Sequence, residues 1–233
     1  MKKYGFGADV GGTTIKMGLF EMDGTLVEKW EIPTDTTEKG AHILQDIAAT
    51  VHGKMVENDL TKDMVEGIGI GVPGAVDKDG VVNRAVNLGW DIVPLAEELG
   101  KLSGMKVKVG NDANVAALGE NWMGSGKGYN SIVMVTLGTG IGGGIIIDGN
   151  ILTGANGAAG EIGHIVVNEQ EIEACNCGHY GCIEQYASAT GIVRMAKRAL
   201  AGTSEDSKLR TFGEAVSAKD VFDCARAGDK VAC

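Results

Sequence analysis

The chain has 233 residues, which is enough for two modest domains, each with its own core. Hydrophobic residues make up 44% and charged residues 22%, as in ordinary soluble globular proteins. Its 21 basic and 31 acidic residues give a formal charge of −10, which argues against nucleic-acid binding, because such binding depends on lysine and arginine. No apolar run is long enough to span a membrane, and residues 1–12 lack the apolar core of a signal peptide. We therefore expect a cytoplasmic protein with reduced cysteines.

Glycine is the most unusual part of the composition, with 37 residues against 3 prolines. Two glycine-rich stretches match each other, at residues 9–24 (DVGGTTIKMGLFEMDG) and 136–149 (TLGTGIGGGIIIDG). Each follows an apolar strand candidate, turns through small residues, continues as a second strand and reverses at Asp-Gly, a strong hairpin signal. Third strands are predicted at 25–32 and near 150–153. The repeat predicts two related halves, each opening with a three-stranded meander.

After its meander, the first half alternates helices with short, continuously apolar strands, which is typical of a central sheet covered on both faces. Glycine-rich residues 124–128 (GSGKG) are interpreted as a linker between a domain at 1–123 and a second at 124–233. The elements predicted for the first half are a helix at 37–57, a strand at 67–72, a helix at 93–102, a strand at 106–110 and a helix at 113–123.

The second half is predicted to continue from its meander with a strand around 162–167 and helices at 183–201 and 218–227. No later apolar strand matches those at 67–72 and 106–110 of the first half. We therefore expect the second domain to be incomplete at its C-terminus and the chain to bind ATP weakly. Because exposed strand edges promote association, we also expect the chain to aggregate or to form a homodimer through that edge.

The two glycine turns, in matching strand–turn–strand context, resemble those of the actin-like ATPase and hexokinase (ribonuclease H-like) fold, an α/β fold of two related domains around a cleft. That resemblance implies that the turns cradle the phosphates of ATP, and glycine allows it because backbone N–H groups can approach phosphate without a Cβ in between. Asp9 is placed to hold Mg²⁺ through water, with hairpin capping as the alternative. Neither turn is a Walker A loop or a Rossmann fingerprint. The candidate nucleotide-binding residues are Asp9, Gly11, Gly12, Thr13, Thr14, Gly138, Thr139 and Gly140.

Asn111 and Asp112 directly follow the strand predicted at 106–110 and precede a helical run. In parallel α/β sheets, ligands bind at the carboxyl ends of strands. The alternative is that Asp112 caps the helix by accepting a hydrogen bond from a free backbone N–H. Spacing alone leaves both roles open.

His164, Cys175, Cys177 and Cys182 lie within 19 residues, in the spacing H-x10-C-x-C-x4-C. One histidine and three cysteines form a complete tetrahedral set for Zn²⁺, and a closed set predicts a structural ion. Two glycines inside the segment would let the chain fold tightly around the metal. The alternatives are His179 as the nitrogen ligand, or buried cysteines unrelated to the histidine.

GEIGH at 160–164 followed by CxCGxxGCxE at 175–184 is similar to the signature of the ROK family (repressor, open reading frame, kinase). The resemblance implies an ATP-dependent sugar kinase in which Asp112 is the general base, accepting the sugar hydroxyl proton as the oxygen attacks the γ-phosphorus. It also implies that one nitrogen of His164 binds zinc while the other faces the sugar. The implied sugar-binding residues are Asn87, Asn111, Asp112, Glu161, His164 and Glu184.

Within that family, NLGW at 87–90 and GANGAAGEIGH at 154–164 most resemble bacterial glucokinases, which implies conversion of glucose to glucose 6-phosphate. We expect Trp90 itself in the core. Kinases for N-acetylmannosamine, fructose or allose share the same polar residues and stay open, as does a non-catalytic sugar-binding protein. A transcriptional regulator is disfavoured, because the first turn begins at Asp9 and leaves no room for a helix-turn-helix before it.

Overall fold

The computed structural model describes residues 2–155 and 157–233. Asn156, which belongs to the glucokinase-like segment at 154–164, lies outside the described residues. Contacts divide the chain into two compact units: Met1–Ile132 with Gly144–Ala159, and Val133–Gly143 with Gly160–Cys233. The domain boundary at residue 123 stays a prediction.

Strands and helices alternate along the first unit, while helices dominate the end of the chain. The strands are β1 (Tyr4–Val10), β2 (Thr14–Glu21), β3 (Leu26–Pro33), β4 (Val65–Val72), β5 (Ala75–Val76), β6 (Val82–Ala85), β7 (Trp90–Val93), β8 (Val107–Asn111), β9 (Ile132–Leu137), β10 (Ile141–Ile147) and β11 (Asn150–Ile151). The α-helices are α1 (Ile43–Glu57), α2 (Leu95–Ser103), α3 (Asp112–Met123), α4 (Glu184–Ala187), α5 (Ala189–Gly202) and α6 (Ala218–Arg226).

A five-stranded sheet in the order β3-β2-β1-β4-β8 forms the centre of the first unit. The first three strands are the predicted antiparallel meander, and β4 and β8 add in parallel to β1. In β4, Ile68 and Ile70 pack into one core with α1 and α2. Gly71 is one residue out of phase with them and faces Val115 of α3, because side chains alternate between the faces of a strand. Both faces are therefore covered, as predicted.

The start of α1 differs from the prediction of a helix over 37–57. Glu38 and Lys39 have left-handed backbone angles, with φ of 49° and 60°, so Thr37–Lys39 forms only a short 3₁₀ turn. The α-helix begins at Ile43 and then buries apolar side chains at three- and four-residue intervals. Its predicted end at residue 57 is confirmed.

A small sheet in the order β5-β6-β7 follows β4 and was not predicted. Its last strand, Trp90–Val93, includes Val93, which the sequence assigned to a helix at 93–102, and α2 begins only at Leu95, after Pro94. Trp90 is buried, as predicted, and its indole Nε1 donates to the carbonyl oxygen of Gly40 at 3.3 Å. The small sheet therefore fixes the segment that carries Asn87.

The second predicted meander is present as a sheet in the order β11-β10-β9. A Cβ on Gly144 would lie 2.4 Å from the Cβ of Ala117, so only glycine lets β10 lie this close to α3. The strand predicted around 162–167 is wrong, because Ile162–His164 is a 3₁₀ turn and Val166 forms only an isolated bridge with Cys182.

The helix predicted over 183–201 is divided in two. Ser188 adopts an extended conformation between α4 and α5 and caps α5 by accepting a hydrogen bond from the N–H of Gly191. The helix predicted at 218–227 is confirmed as α6. Within the described ranges, none of the helices has both the length and the hydropathy for crossing a bilayer.

Candidate active site

The first glycine turn connects β1 to β2. It is closed by a hydrogen bond from the N–H of Gly11 to the carbonyl oxygen of Thr14 (3.0 Å), and the hydroxyl of Thr34 donates to the carbonyl oxygen of Gly11 (2.7 Å). Gly12 is exposed, and a Cβ there would lie 3.5 Å from the carbonyl oxygen of Asn87. The structure therefore brings the predicted phosphate turn and the predicted sugar-binding Asn87 together.

Asp9 lies near the end of β1, opposite Lys16 of β2. Its carboxylate is exposed and accepts no hydrogen bond from the described part of the chain, which does not fit the alternative role of a hairpin cap. An uncommitted carboxylate is a suitable oxygen ligand for Mg²⁺, either directly or through water. Its role as a magnesium ligand stays a prediction.

Asn111 and Asp112 have different hydrogen bonds although they are adjacent. Asn111 is the cap of α3: its Oδ1 accepts from the N–H of Asn114 (3.1 Å), and its Nδ2 donates to the carbonyl oxygen of Gly74 (3.2 Å). Asp112 accepts only from the N–H of Ala113 (2.8 Å) among the described residues. Because Asn111 provides the cap, Asp112 is not the helix cap in this structure.

The surroundings of Asp112 favour its protonated form. Desolvation by the surrounding protein raises the pKa of its carboxyl group, and the negative charge of Asp9 adds to the effect, while the hydrogen bond from Ala113 opposes it. The side chain remains accessible to solvent. A carboxylate with a raised pKa is a better proton acceptor, which is what a general base requires.

The predicted metal ligands of the second unit form one cluster. The ligand atoms of His164, Cys175, Cys177 and Cys182 all lie within 4.8 Å of one another. Nδ1 of His164 is 3.8 Å from Sγ of Cys175, and the Sγ atoms of Cys177 and Cys182 are 3.6 Å apart. His179, the alternative nitrogen ligand, is not in the cluster; its carbonyl oxygen instead accepts from the N–H of Cys175.

The loop closes around the cluster through two glycines with left-handed backbone angles. Gly178 and Gly181 have φ of 91° and 74°, and a Cβ on Gly181 would lie 1.8 Å from the carbonyl oxygen of Asn168. Burial raises the pKa of the Cys175 and Cys182 thiols, so they hold protons until a cation displaces them. A set of three thiols and one imidazole is chemically suited to Zn²⁺.

The two imidazole nitrogens of His164 face different groups. Nδ1 faces Cys175 and lies 3.6 Å from Oε1 of Glu184, whereas Nε2 lies 3.7 Å from Oε2 of Glu161. The structure therefore brings Glu161, His164 and Glu184 together, all three being predicted sugar ligands. It also leaves Nε2 on the side away from the sulfur atoms, as the predicted double role requires.

The second glycine turn is held by the segment that follows the cysteines. Oε2 of Glu184 accepts from the N–H of Ile141 (3.3 Å), and the N–H of Ala189 donates to the carbonyl oxygen of Gly138 (2.9 Å). The hydroxyl of Thr190 donates to the carbonyl oxygen of Thr139 (2.6 Å). Sequence reasoning missed Thr190; the only local signal was the serine two residues earlier, which is a good helix cap.

A mixed α/β architecture, two matching glycine turns, an Asn-Asp pair at the end of a parallel strand and a Cys₃His cluster together define the actin-like ATPase and hexokinase fold class. The sequence profile of the ROK family matches residues 5–233, and the chain belongs to this family. The resemblance seen in the signature motifs and the predicted fold class are both confirmed.

Glucokinases are among the most similar relatives. The glucokinase of Halalkalibacterium halodurans is 45% identical over 97% of this chain and 69% of its own length, and that of Thermotoga maritima is 41% identical over 97% and 71%. Among solved structures, a ROK family glucokinase from Streptomyces griseus in complex with glucose and AMPPNP is 37% identical. It superposes with a TM-score of 0.76 over 98% of this chain and 73% of its own.

Proposed function

We propose that this protein transfers the γ-phosphoryl group of ATP to the 6-hydroxyl group of glucose, giving glucose 6-phosphate and ADP. The observation that carries the proposal is Asp112: Asn111 caps α3, and the adjacent carboxylate, at the carboxyl end of a parallel strand, has a single local hydrogen bond from the described part of the chain. The similarity to glucokinases, one of them solved with glucose and an ATP analogue, supports the choice of both substrates.

In the proposed reaction, Asp112 accepts the proton of the sugar 6-hydroxyl group. The oxygen then attacks the γ-phosphorus, the bond to the β–γ bridging oxygen breaks, and ADP leaves. Phosphoryl transfer needs alignment and charge stabilisation more than a strong base, so a carboxylate with a moderately raised pKa is sufficient. Mg²⁺ near Asp9 would neutralise phosphate charge.

The proposed ligands use the hydrogen-bonding capacity that the structure leaves free. Asn111 has committed one amide hydrogen to Gly74 and retains the second for a sugar hydroxyl. Nε2 of His164 faces the sugar, while Nδ1 takes part in holding zinc with the three cysteines. Asn87, Asp112, Glu161 and Glu184 complete the proposed sugar ligands. The nucleotide phosphates would bind Gly11, Gly12, Thr13, Thr14, Gly138, Thr139 and Gly140.

We also propose a cytoplasmic homodimer that pairs through β9. This strand is at the edge of its sheet, and its residues Val133, Val135 and Leu137 are 65%, 50% and 68% exposed. An apolar edge strand without charge or proline favours pairing with another copy. Binding to nucleic acid or membrane is not part of the proposal, in keeping with the net charge of −10.

The function is tested with an ADP-release assay across glucose, mannose, fructose, allose, N-acetylmannosamine and N-acetylglucosamine. We expect the highest kcat/KM with glucose, and an Asp112→Asn preparation purified in parallel should show only background from host kinases. A preference for an N-acetylhexosamine would overturn the choice of sugar. Glucose binding in calorimetry without ADP release would favour the non-catalytic alternative.

A further inference from the structure

Glu171 is a buried charged residue that the proposed reaction does not use. It lies in the loop between His164 and Cys175, and only 1% of its side chain is exposed. Burying a carboxylate is unfavourable unless the group is paired and hydrogen-bonded. The groups that pair with Glu171 therefore indicate what this buried charge does.

Both oxygens of Glu171 are fully used. Oε1 accepts hydrogen bonds from two backbone N–H groups of its own loop, and Arg198 binds both oxygens in a bidentate pair. Hydrogen bonds from Arg198 and Tyr186 hold the pKa of the Glu171 carboxyl well below its usual range. The contacts are Ile172 N (2.9 Å), Glu173 N (3.0 Å), Arg198 Nη2 (2.9 Å) and Nη1 (2.9 Å), Tyr186 Oη (2.7 Å) and Arg194 Nη2 (2.7 Å).

The same arginines also bind Glu173, two residues before Cys175. Nε of Arg194 lies 2.9 Å from Oε2 of Glu173, and Nη2 of Arg198 lies 2.7 Å from Oε1. The result is an ion-pair network of two arginines and two glutamates, which joins the loop to α5. Its two positive and two negative charges balance, and the buried Glu171 carboxylate is paired with both arginines.

The network reaches the far end of the loop through Gln185. Its Nε2 donates to the carbonyl oxygen of Glu173 (3.0 Å), and its Oε1 accepts from the N–H of Cys182 (3.1 Å). The segment before Cys175 and the backbone at Cys182 are therefore tied together without the help of any metal. The described contacts hold both ends of the cysteine loop against α4 and α5.

We propose that Glu171 is a positioning residue for the Cys₃His cluster, and that its pairing with Arg194 and Arg198 places Cys175 and Cys177 within ligand distance of His164 and Cys182 before an ion binds. This inference rests on the proposed zinc site. If the loop is already ordered, metal binding does not have to include the entropic cost of ordering it. Metal affinity therefore depends on Glu171 although Glu171 does not touch the metal. The same loop orients His164 and Glu184.

The test compares Glu171→Gln with Glu214→Gln. Glu214 is the matched control, because it also pairs with a basic residue of α5, Lys197, but is 95% exposed and outside the network. Zn²⁺ affinity is measured by competition with a chromophoric chelator, and the cluster geometry from the visible absorption of Co²⁺-loaded protein. We expect Glu171→Gln to bind Zn²⁺ about 10- to 100-fold more weakly with an altered Co²⁺ spectrum, and Glu214→Gln to match the wild type.

If Glu171→Gln does not fold, Arg198→Lys serves the same purpose, since lysine keeps the charge but cannot make the bidentate pair. In either variant the KM for glucose should rise more than kcat falls, because His164 and Glu184 are displaced and Asp112 is not. Loss of thermal stability with unchanged Zn²⁺ affinity and Co²⁺ spectrum would overturn the positioning role. Failure of the wild type to bind Zn²⁺ or Co²⁺ would instead remove the metal site itself, and this inference with it.

Discussion

The separation of tasks between Asn111 and Asp112 has a physical basis in the helix that follows them. The free N–H groups at the start of α3 need an acceptor, and Asn111 supplies it. Asp112 therefore does not have to cap the helix, and one of its carboxylate oxygens stays available for another partner. Its pKa is raised because the folded protein solvates the ionised carboxylate less well than water does.

Asp112→Asn should abolish phosphorylation while glucose still binds. Losing a general base costs about 10²–10⁴-fold in rate, whereas the amide keeps a hydrogen-bonding group, so glucose affinity should weaken by only about 1–2 kcal/mol. Turnover is measured by ADP release and affinity by calorimetry. Near-normal turnover in this variant would show that Asp112 is not the base.

The same variant should be more stable than the wild type at neutral pH. Because the pKa of Asp112 is raised in the folded state, the unfolded chain releases its proton first, and ionisation opposes folding above that range. Asparagine does not ionise, so Asp112→Asn should raise the Tm near pH 7. The difference should shrink as the pH falls toward the ordinary aspartate value of 3.8, and Asp91→Asn, which removes an exposed carboxylate, is the control.

The start of α5 and the second glycine turn form one hydrogen-bonded unit. Ser188 caps the helix, its neighbour Ala189 binds the carbonyl oxygen of Gly138, and Thr190 binds that of Thr139. A flexible glycine turn gains a defined shape from these bonds. The position of the turn therefore depends on a helix that begins about fifty residues later in the chain.

Thr190→Val should weaken nucleotide binding selectively. Valine has the shape of threonine without the hydroxyl, so the bond to Thr139 is lost together with the contact to the Ser188 hydroxyl. The bond that fixes the turn contributes about 0.5–1.5 kcal/mol, or roughly two- to twelvefold in affinity for an ATP analogue. Calorimetry with AMPPNP measures this, and glucose affinity should be unchanged. Thr190→Ser, which keeps the hydroxyl, is the control; equal weakening in both variants would contradict the proposed role of the bond.

Elements with long, regular patterns were predictable from the sequence, and the missed ones depend on single backbone positions or on short strands. The two meanders and the helix at 218–227 have continuous local signals. Strands of two to four residues, such as β5, have too little pattern to be recognised. The helix break at Ser188 was hidden, because apolar periodicity continues through it and only the backbone conformation ends α4.

In the candidate site, too, the residues with a local sequence pattern were predictable and those brought together from distant parts of the chain were not. The Cys₃His cluster was predictable because all four ligands come from one segment with metal-ligand spacing. The network around Glu171 was not, because its arginines lie more than twenty residues away and an isolated glutamate is normally a solvated surface charge. Sequence patterns identify residues by their neighbours in the chain, whereas the ion-pair network is made by residues that are neighbours only in space.

The second unit has a small apolar core, so the proposed metal site would matter for the stability of the protein as a whole. Its buried cluster contains only five residues among those described, from Ala196 to Cys224, and the cysteine loop lies outside it. A structural zinc ion contributes on the order of 10 kcal/mol to the folding of small sites. The cysteine loop is where this contribution would act.

We expect about one Zn²⁺ per chain, and Cys177→Ala should lose the ion together with thermal stability and glucose affinity. Elemental analysis, thermal unfolding and calorimetry measure the three effects. Cys233→Ala is the matched control, because Cys233 is exposed like Cys177 but does not belong to the cluster. Purified wild-type protein without bound metal would contradict the proposed zinc site.

Glu184 links the Cys₃His cluster to the second glycine turn. One of its oxygens accepts from the thiol of Cys175 and the other from the N–H of Ile141, beside the second glycine turn. In the proposed enzyme, metal binding at the cluster and nucleotide binding at the turn would therefore both act on the Glu184 carboxylate. Binding free energies are reciprocal, so any factor by which the ion strengthens nucleotide binding is also the factor by which the nucleotide strengthens retention of the ion. If the ion strengthens nucleotide binding, an enzyme saturated with ATP holds its metal against chelators more firmly than the same enzyme without nucleotide; if the ion weakens it, ATP promotes loss of the metal.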